Sequence, residues 1–372
     1  MHNLRITFVL PTVTLGGGTR VVSIYAQELV RRGHRVCLVS PPARRPSTKE
    51  RVKHWLKGNG CLKVETMQPS HLDKLHLDHR VLDIWRPVED KDVPDADVVI
   101  ATWWETAEWV SRLAPEKGAK VYFVQHHEVF PYLPTRSRET YRLPLHKIVV
   151  AQWLGRVMLE QYDDSVVDVV PNSVDHTQFF AAPRGKQPAP TVGLLYSTVE
   201  FKGMDVAFRA LEIVARKRPD LRVVSFGSEP LQANLVPPGH FEFYHTPRQH
   251  ELRDLYARVD VWLTASRSEG FNLPAMEAMA CRTPVVATRT GWPDEAIIPG
   301  VNGFLAGIDD AESLASAVEQ ILDSNDTNWK QLSASAYATV IDSSWENSTT
   351  MFEHALAHAL ERTARGEFVS LN

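Results

Sequence analysis

Only three cysteines, Cys37, Cys61 and Cys281, stand among 372 residues. They are too few and too scattered for a disulfide framework or a zinc site, and their scarcity fits a reducing compartment. Long apolar runs are missing as well: no stretch approaches the roughly 18 to 20 residues needed to cross a bilayer, so any membrane contact is expected to be peripheral. The chain opens on a strand-like segment at residues 4–10, without the basic start, apolar core and small-residue cleavage site of a secretion signal. These absences predict a cytoplasmic protein. The formal net charge of -4 supplies no global attraction to nucleic acid, and no such partner is expected. What is present, 44% hydrophobic and 23% charged residues, is enough apolar surface to exclude a disordered chain.

A length of 372 residues exceeds what one hydrophobic core usually serves, so two domains are expected. The first residues read as strand, glycine loop, helix and strand, at 4–10, Gly16-Gly17-Gly18, 19–32 and 35–39. Val21, Ile24, Tyr25 and Leu29 recur at helical spacing, and Gly33 stands where a helix end favours positive φ. Short apolar runs at 98–101, 121–124, 148–151 and 166–170 predict further buried parallel strands. Between 177 and 191 the composition shifts to Ala, Pro, Gly and Lys, a linker pattern. The alternation then restarts, with strands at 192–195, 223–226, 261–264 and 284–287 and helices at 204–216, 251–257 and 274–280. A helical pattern over 345–363 follows. The expected architecture is α/β: two Rossmann-like doubly wound domains, residues 1–176 and 177–344, and a terminal helix in 345–372.

The densest chemistry lies in Ser268-Glu269-Gly270-Phe271-Asn272-Leu273-Pro274-Ala275-Met276-Glu277-Ala278-Met279-Ala280. A strand ends just before it, and Pro274 suits the first turn of a helix, where its missing N–H costs nothing. Open α/β sheets bind ligands at the carboxyl ends of their strands, so N–H groups around Asn272 and Leu273, with the helix dipole, suit a diphosphate. Glu269 in the loop and Glu277 one turn into the helix can both accept hydrogen bonds from hydroxyl groups. A bare pair of glutamates is more often a solvated loop charge and a helix-start acid.

The whole string resembles the signature of glycosyltransferase family 4, a retaining family of GT-B fold in which two glutamates are separated by seven residues, as Glu269 and Glu277 are. The likeness continues through Cys281-Arg282-Thr283-Pro284-Val285-Val286-Ala287 and on to Gly303. It implies that Glu269 contacts the sugar of a nucleotide diphosphate sugar and Glu277 its ribose. Backbone groups of Gly270, Phe271, Asn272 and Leu273 are implied on the sugar and phosphates. Family members usually carry Gly where Asn272 and Arg282 stand. Tyr196-Ser197-Thr198-Val199-Glu200-Phe201-Lys202-Gly203 resembles the loop in which an arginine and a lysine neutralise the diphosphate; Lys202 matches the lysine, but Ser197 occupies the arginine's place. A developing diphosphate leaving group needs cations or N–H donors, and Arg20 or Arg267 could supply the missing charge. Tyr244 is expected on the donor side, within the variable segment 243–247.

By the same likeness, the loop Gly16-Gly17-Gly18-Thr19-Arg20 contributes Gly17 to the phosphates and Gly16, Gly18 and Arg20 to the acceptor side. It is not the dinucleotide GxGxxG, and Val39-Ser40-Pro41 lacks the ribose-binding acid of a dehydrogenase. Gln125-His126-His127-Glu128 follows a strand, and the resemblance puts His126, with His127 second, near the reacting carbon. Trp103 and Trp104 follow another strand end, where they either stack on an acceptor or pack a helix. Asp90-Lys91-Asp92 and Asp95-Ala96-Asp97 match the metal-binding DxD spacing but read as a solvated loop, and no metal or cofactor is expected. The basic run 44–57 is a solvated face or a hold for an anionic acceptor or membrane surface.

The expected activity is transfer of a sugar from a nucleotide diphosphate donor to a hydroxyl acceptor by a retaining route, with Glu269, His126 and Lys202 as the catalytic set. Acceptor contacts fall mainly to the first domain and donor contacts to the second, and the last helix packs back on the first. The alternatives are a sugar-nucleotide-binding protein without turnover, or a phosphorylase or epimerase on the same fold.

Overall fold

The computed structural model describes residues 3–44, 69–73, 75–232 and 235–368. Cys61 and the basic run beyond Arg44 lie outside the described residues. Two compact units emerge. One comprises Met1–Val150, Leu154–Val170 and Thr349–Asn372, the other Ala151–Trp153 and Pro171–Ser348.

In the first unit seven strands run parallel in the order β3-β2-β1-β4-β5-β6-β7. They are β1 (Arg5–Val9), β2 (Arg35–Ser40), β3 (Asp78–Val81), β4 (Val98–Ala101), β5 (Ala119–Val124), β6 (His146–Val149) and β7 (Val167–Val169). The inner strands are buried on both faces, which is why they read as unbroken apolar runs rather than alternations. Helices α1 (Gly17–Arg31), α2 (Trp104–Ser111), α3 (Arg136–Glu139) and α4 (Gln152–Tyr162) belong to the connections between them. The strand order reverses between β1 and β4, so the loops after these two strands open at the topological switch point.

The second unit has six parallel strands in the order β10-β9-β8-β11-β12-β13. These are β8 (Thr191–Leu195), β9 (Arg222–Gly227), β10 (His240–His245), β11 (Val261–Thr264), β12 (Val285–Thr288) and β13 (Gly303–Ala306). Between them run α5 (Met204–Lys217), α6 (Leu252–Ala257), α7 (Leu273–Ala280), α8 (Trp292–Ala296), α9 (Ala311–Asp323) and α10 (Asp326–Val340), and α11 (Trp345–Ala364) follows. The order reverses between β8 and β11. The segment 243–247, expected as a loop, begins inside β10, because alternating His240-Phe241-Glu242-Phe243-Tyr244-His245 pairs with β9.

From Thr349 on, α11 is part of the first unit. Phe352 is fully buried, with its ring 4.5 Å from Tyr25, 5.2 Å from Phe123 and 6.3 Å from Phe8. Glu353 accepts from Arg32 and meets His34 at 2.8 Å. Further along, His358 Nδ1 and His146 Nε2 reach the same Asp168 oxygen at 2.9 and 2.8 Å. These three side chains bring ligand-type atoms within 4.8 Å of one another. However, Arg362 lies 3.0 Å from His146 Nδ1 and can only donate, so His146 carries its proton on Nε2 and gives it to Asp168. A guanidinium on the far ring nitrogen opposes a cation on the near one, so the cluster reads as a clasp for the helix rather than a metal site. Truncating Phe352→Ala should cost about 3 to 5 kcal/mol, seen as a lower midpoint of unfolding in urea.

Candidate functional site

The loops after β8 and β11 meet at the switch point of the second sheet. Lys202 is in the first, and its Nζ donates to both oxygens of Glu269 in the second, at 2.8 and 3.0 Å. Ser266 Oγ adds a bond to Oε1 at 2.7 Å. A carboxylate only 6% exposed needs this company, since an unpaired buried charge is strongly unfavourable. A carboxylate offers about four lone-pair sites; three are filled, leaving room for one more donor. Lys202, Thr264, Ser266, Glu269, Asn272 and Pro274 are among the residues lining one pocket here.

The two loops approach closely because Gly203 allows it. Its φ of 62°, and the 2.0 Å that would separate a Cβ from the Ala265 carbonyl oxygen, both exclude a side chain. Arg267 then staples the arrangement. It donates to Asp309 at 2.7 Å, Asp205 at 2.8 Å and the Glu200 carbonyl at 2.9 Å, while its own N–H meets Phe201 O at 2.7 Å. Arg267 therefore spends three of its five guanidinium N–H groups on loop structure. Ser197 accepts from Val199 N at 3.2 Å, and Glu229 accepts from Thr198 N at 2.8 Å, so this loop carries a carboxylate partner where more positive charge was expected.

Helix α7 starts one residue before Pro274. Asn272 caps it with φ 81°, accepting from Ala275 N at 3.4 Å and donating to Thr264 Oγ1 at 3.0 Å. Arg282, at the other end, also has positive φ, 58°. Both positions where the family usually has Gly are thus left-handed, which explains the glycines. Asn tolerates that region best among other residues. Arg282 is held there by a bond to Ala181 O at 3.1 Å and by the Tyr337 ring 4.0 Å from its guanidinium. Glu277 is 3% exposed and accepts from Tyr256 OH at 2.7 Å, so the second glutamate is a buried, partnered acid. Tyr244 is not among the residues lining the pocket: on the edge strand β10, its hydroxyl donates to Glu242 at 3.0 Å and accepts from Arg258 at 2.7 Å. Gly270, Phe271 and Leu273 are buried in the turn and first residue of α7.

In the first unit the glycine loop opens α1, with Gly16 as its cap and Gly17 its first residue. None of the three has positive φ, and a Cβ on Gly17 would meet nothing within 4 Å. Arg20 lies in the first full turn, its N–H bonded to Gly16 O at 3.2 Å. His126 is half-buried and tilted against Phe130, 4.9 Å between centroids. His127 is built into the packing instead, its Nε2 2.7 Å from Tyr162 OH and its ring beside Tyr141. His127, second to His126 and an acceptor-side candidate by sequence, thus has a packing role in this geometry. Of the two alternatives for Trp104 the structure favours packing a helix: at 4% exposure, under the Arg136 guanidinium at 5.2 Å, it presents no free face. Trp103 remains half-exposed at the start of α2.

Glu128 was not singled out by sequence reasoning. At 1% exposure it accepts from Trp104 N at 2.7 Å and Tyr122 OH at 3.1 Å, tying the His126 segment to α2, and burial pushes its carboxyl well above the usual range. Nothing in the string Gln125-His126-His127-Glu128 distinguishes a buried acid from an exposed one. Three aspartates of the two DxD strings pair with cations, Asp92 with Arg86 at 2.6 Å, Asp95 with Lys117 at 2.8 Å and Asp97 with Arg5 at 2.8 Å, while Asp90 accepts from Ala114 N at 2.8 Å.

Two outcomes test this geometry. Gly203→Ala should force the Lys202 loop away from Ala265 and destabilise the fold by about 2 kcal/mol or more, read by urea unfolding. Burial, with the nearby His126 and Arg138 charges, pushes the His127 pKa down to about 4. The native form is the neutral ring, so its contribution is whole above about pH 6.5 and is lost as pH falls toward about 4. His127→Gln should flatten the fall of melting temperature between about pH 7 and 5; an unchanged slope would contradict the assignment.

With this geometry in hand, comparison with known proteins is direct. Residues 15–178 match the model described as Glycosyltransferase Family 4, and residues 190–324 the one described as Glycosyl transferases group 1. A D-inositol 3-phosphate glycosyltransferase of Mycobacterium marinum is 30% identical over 212 residues, 52% of this chain and 45% of that protein. The chain thus spans less than half the length of such relatives. A glycogen synthase of Mycobacterium tuberculosis is 25% identical, covering 99% of this chain and 96% of its own. Among solved structures, sucrose-phosphate synthase from Thermosynechococcus elongatus superposes with TM-score 0.72 at 15% identity, over 96% of this chain and 100% of that one. Anabaena HepE in complex with UDP and glucose gives 0.70 at 15% identity, with the same coverage. No described helix is long and apolar enough to cross a membrane. With one family match on each half and the same two-sheet fold, the chain belongs to the family 4-type glycosyltransferases of GT-B fold.

Proposed function

We propose that this chain takes a hexose from a nucleoside diphosphate sugar held in the second unit and moves it, with retention of anomeric configuration, to a hydroxyl acceptor. The observation that supports this most is the Lys202–Glu269 pair at the switch point of the second sheet, beside the N-terminus of α7. Lys202 has three N–H donors and spends two on Glu269, so one is free for a phosphate oxygen. Pro274 has no N–H and Ala275 N–H is taken by the Asn272 cap, so the positive end of α7 reaches the same charge through the Leu273 N–H and the helix dipole. Glu269 takes a sugar hydroxyl with its remaining lone pair, and Glu277 a ribose hydroxyl.

In the reaction the bond between the anomeric carbon and the donor phosphate oxygen breaks. The acceptor oxygen bonds to that carbon on the same face, and its proton passes to the departing phosphate. Negative charge then grows on the diphosphate, where Lys202 and the positive end of α7 stabilise it without a metal. On the family likeness His126 assists at the sugar. The inositol phosphate and glycogen named for the relatives are both polyhydroxyl compounds, which favours a hydroxyl acceptor here. A cytoplasmic setting is part of this reading, on the scarcity of cysteine, and the basic sequence run at 44–57 suits peripheral contact with an anionic membrane surface.

One observation favours a second reading, binding without turnover: Ser197 replaces the arginine, and Arg267 spends most of its N–H groups elsewhere. Thermal shift with nucleoside diphosphates and their sugars, followed by assay of transfer and donor hydrolysis in EDTA, separates the two. A true donor at 100 times its dissociation constant adds about 2.7 kcal/mol. Glu269→Ala should keep nucleotide binding and lose transfer, whereas Glu277→Gln should cost about 1 to 3 kcal/mol of nucleotide affinity. Binding without transfer would support the second reading, and an inverted product would refute retention.

A further inference from the structure

Residues Ala151–Trp153 belong to the second unit, although β6 before them and the rest of α4 after them belong to the first. This short excursion reaches the turn that carries Glu269. The indole Nε1–H of Trp153 donates to the Gly270 carbonyl at 2.8 Å. The next carbonyl, Phe271 O, accepts from Trp292 N at 2.9 Å, and the Trp292 ring stacks on Phe271 with centroids 5.6 Å apart. Trp292 is the first residue of α8, and Glu295 on the same helix accepts from the backbone N–H of Trp153 at 2.5 Å and of Gln152 at 3.3 Å. Just before α8, Gly291 lies so near the turn that a Cβ would stand 2.8 Å from Glu269 Cβ. Two successive carbonyls of the turn are therefore held by two tryptophans, and both tryptophans are held by α8.

Peptide units are planar and trans, so the carbonyl of one residue and the N–H of the next point in opposite directions. Fixing the Gly270 and Phe271 carbonyls fixes the N–H directions of Phe271 and Asn272. Those are among the backbone groups that the family likeness puts on the sugar and phosphates of the donor. We propose that Trp153 is a positioning residue for the donor turn, and that its indole N–H holds the Gly270 peptide so that the sugar end of the donor, more than its nucleotide end, depends on it. This rests on the function proposed above. In the proposed reading the nucleotide end is served by Glu277, which sits about one turn into α7 and accepts from Tyr256.

The test uses the full chain with Trp153→Phe, which keeps an aromatic ring but removes the donor. A second variant carries β-(3-benzothienyl)alanine at the same position, an isostere of tryptophan without the N–H, for use if the first does not fold. Calorimetry with UDP, GDP and ADP and with UDP-glucose, GDP-mannose and ADP-glucose selects the pair that binds the wild type. Both variants should bind that nucleoside diphosphate within about twofold of wild type, yet lose about tenfold in affinity for its sugar or in kcat. Equal losses for both ligands, or no loss for either, would overturn the proposal. Should the wild type bind none of the six, the proposed function fails and this inference with it, an outcome separate from a null effect in the variants.

Discussion

A buried carboxylate at the mouth of a parallel sheet sets the terms for the second unit. Glu269 is almost wholly withdrawn from water, and its charge is tolerable there because Lys202 and Ser266 supply donors at 2.7 to 3.0 Å. Those donors come from different loops, so the ion pair is also a constraint on the backbone. It requires the loop after β8 to lie against the strand end of β11, and only a glycine at 203 lets it do so. The Arg267 staple and the Asn272 cap serve the same end from either side.

A pair of this kind contributes little to stability for its own sake, because desolvation of two charges offsets their attraction. Its value lies in what it prepares. In the proposed reading, the donor that Lys202 has to spare and the acceptor that Glu269 has to spare give the charge and the hydroxyl groups of an activated sugar preset partners. Such preorganisation reduces the reorganisation left for the reaction itself. The turn between Glu269 and Asn272 receives equal care, with its carbonyls pinned by Trp153 and Trp292.

Much of this could be read from residues alone. The two parallel sheets were visible because strands buried on both faces leave short apolar runs, and Pro274 marked the start of α7. Other elements left no such trace. Strand β3, Asp-His-Arg-Val, is polar and mostly exposed, and β10 alternates aromatic with polar residues so that it resembled a variable loop. Strand β13 and helices α9 and α10 were also not foreseen. At the site, Lys202 and Glu269 were each anticipated, but their bond was not, since spacing along the chain cannot say which charges meet across 67 residues. The same limit hid Trp153, 117 residues from its partner Gly270. For His127, Trp104 and Glu128 the same limit hid their burial. They follow strand ends, where exposure is the reasonable expectation, yet the aromatic packing around Tyr141 and Tyr162 and the start of α2 draws them inward.

The central claim is that a diphosphate occupies the N-terminus of α7 beside Lys202. A crystal structure with the bound donor tests it most directly. The account predicts a phosphate oxygen within about 3 Å of Lys202 Nζ, with the sugar beside Glu269 and the ribose at Glu277. Clear density for the donor elsewhere, with the Lys202–Glu269 pair untouched, would contradict it.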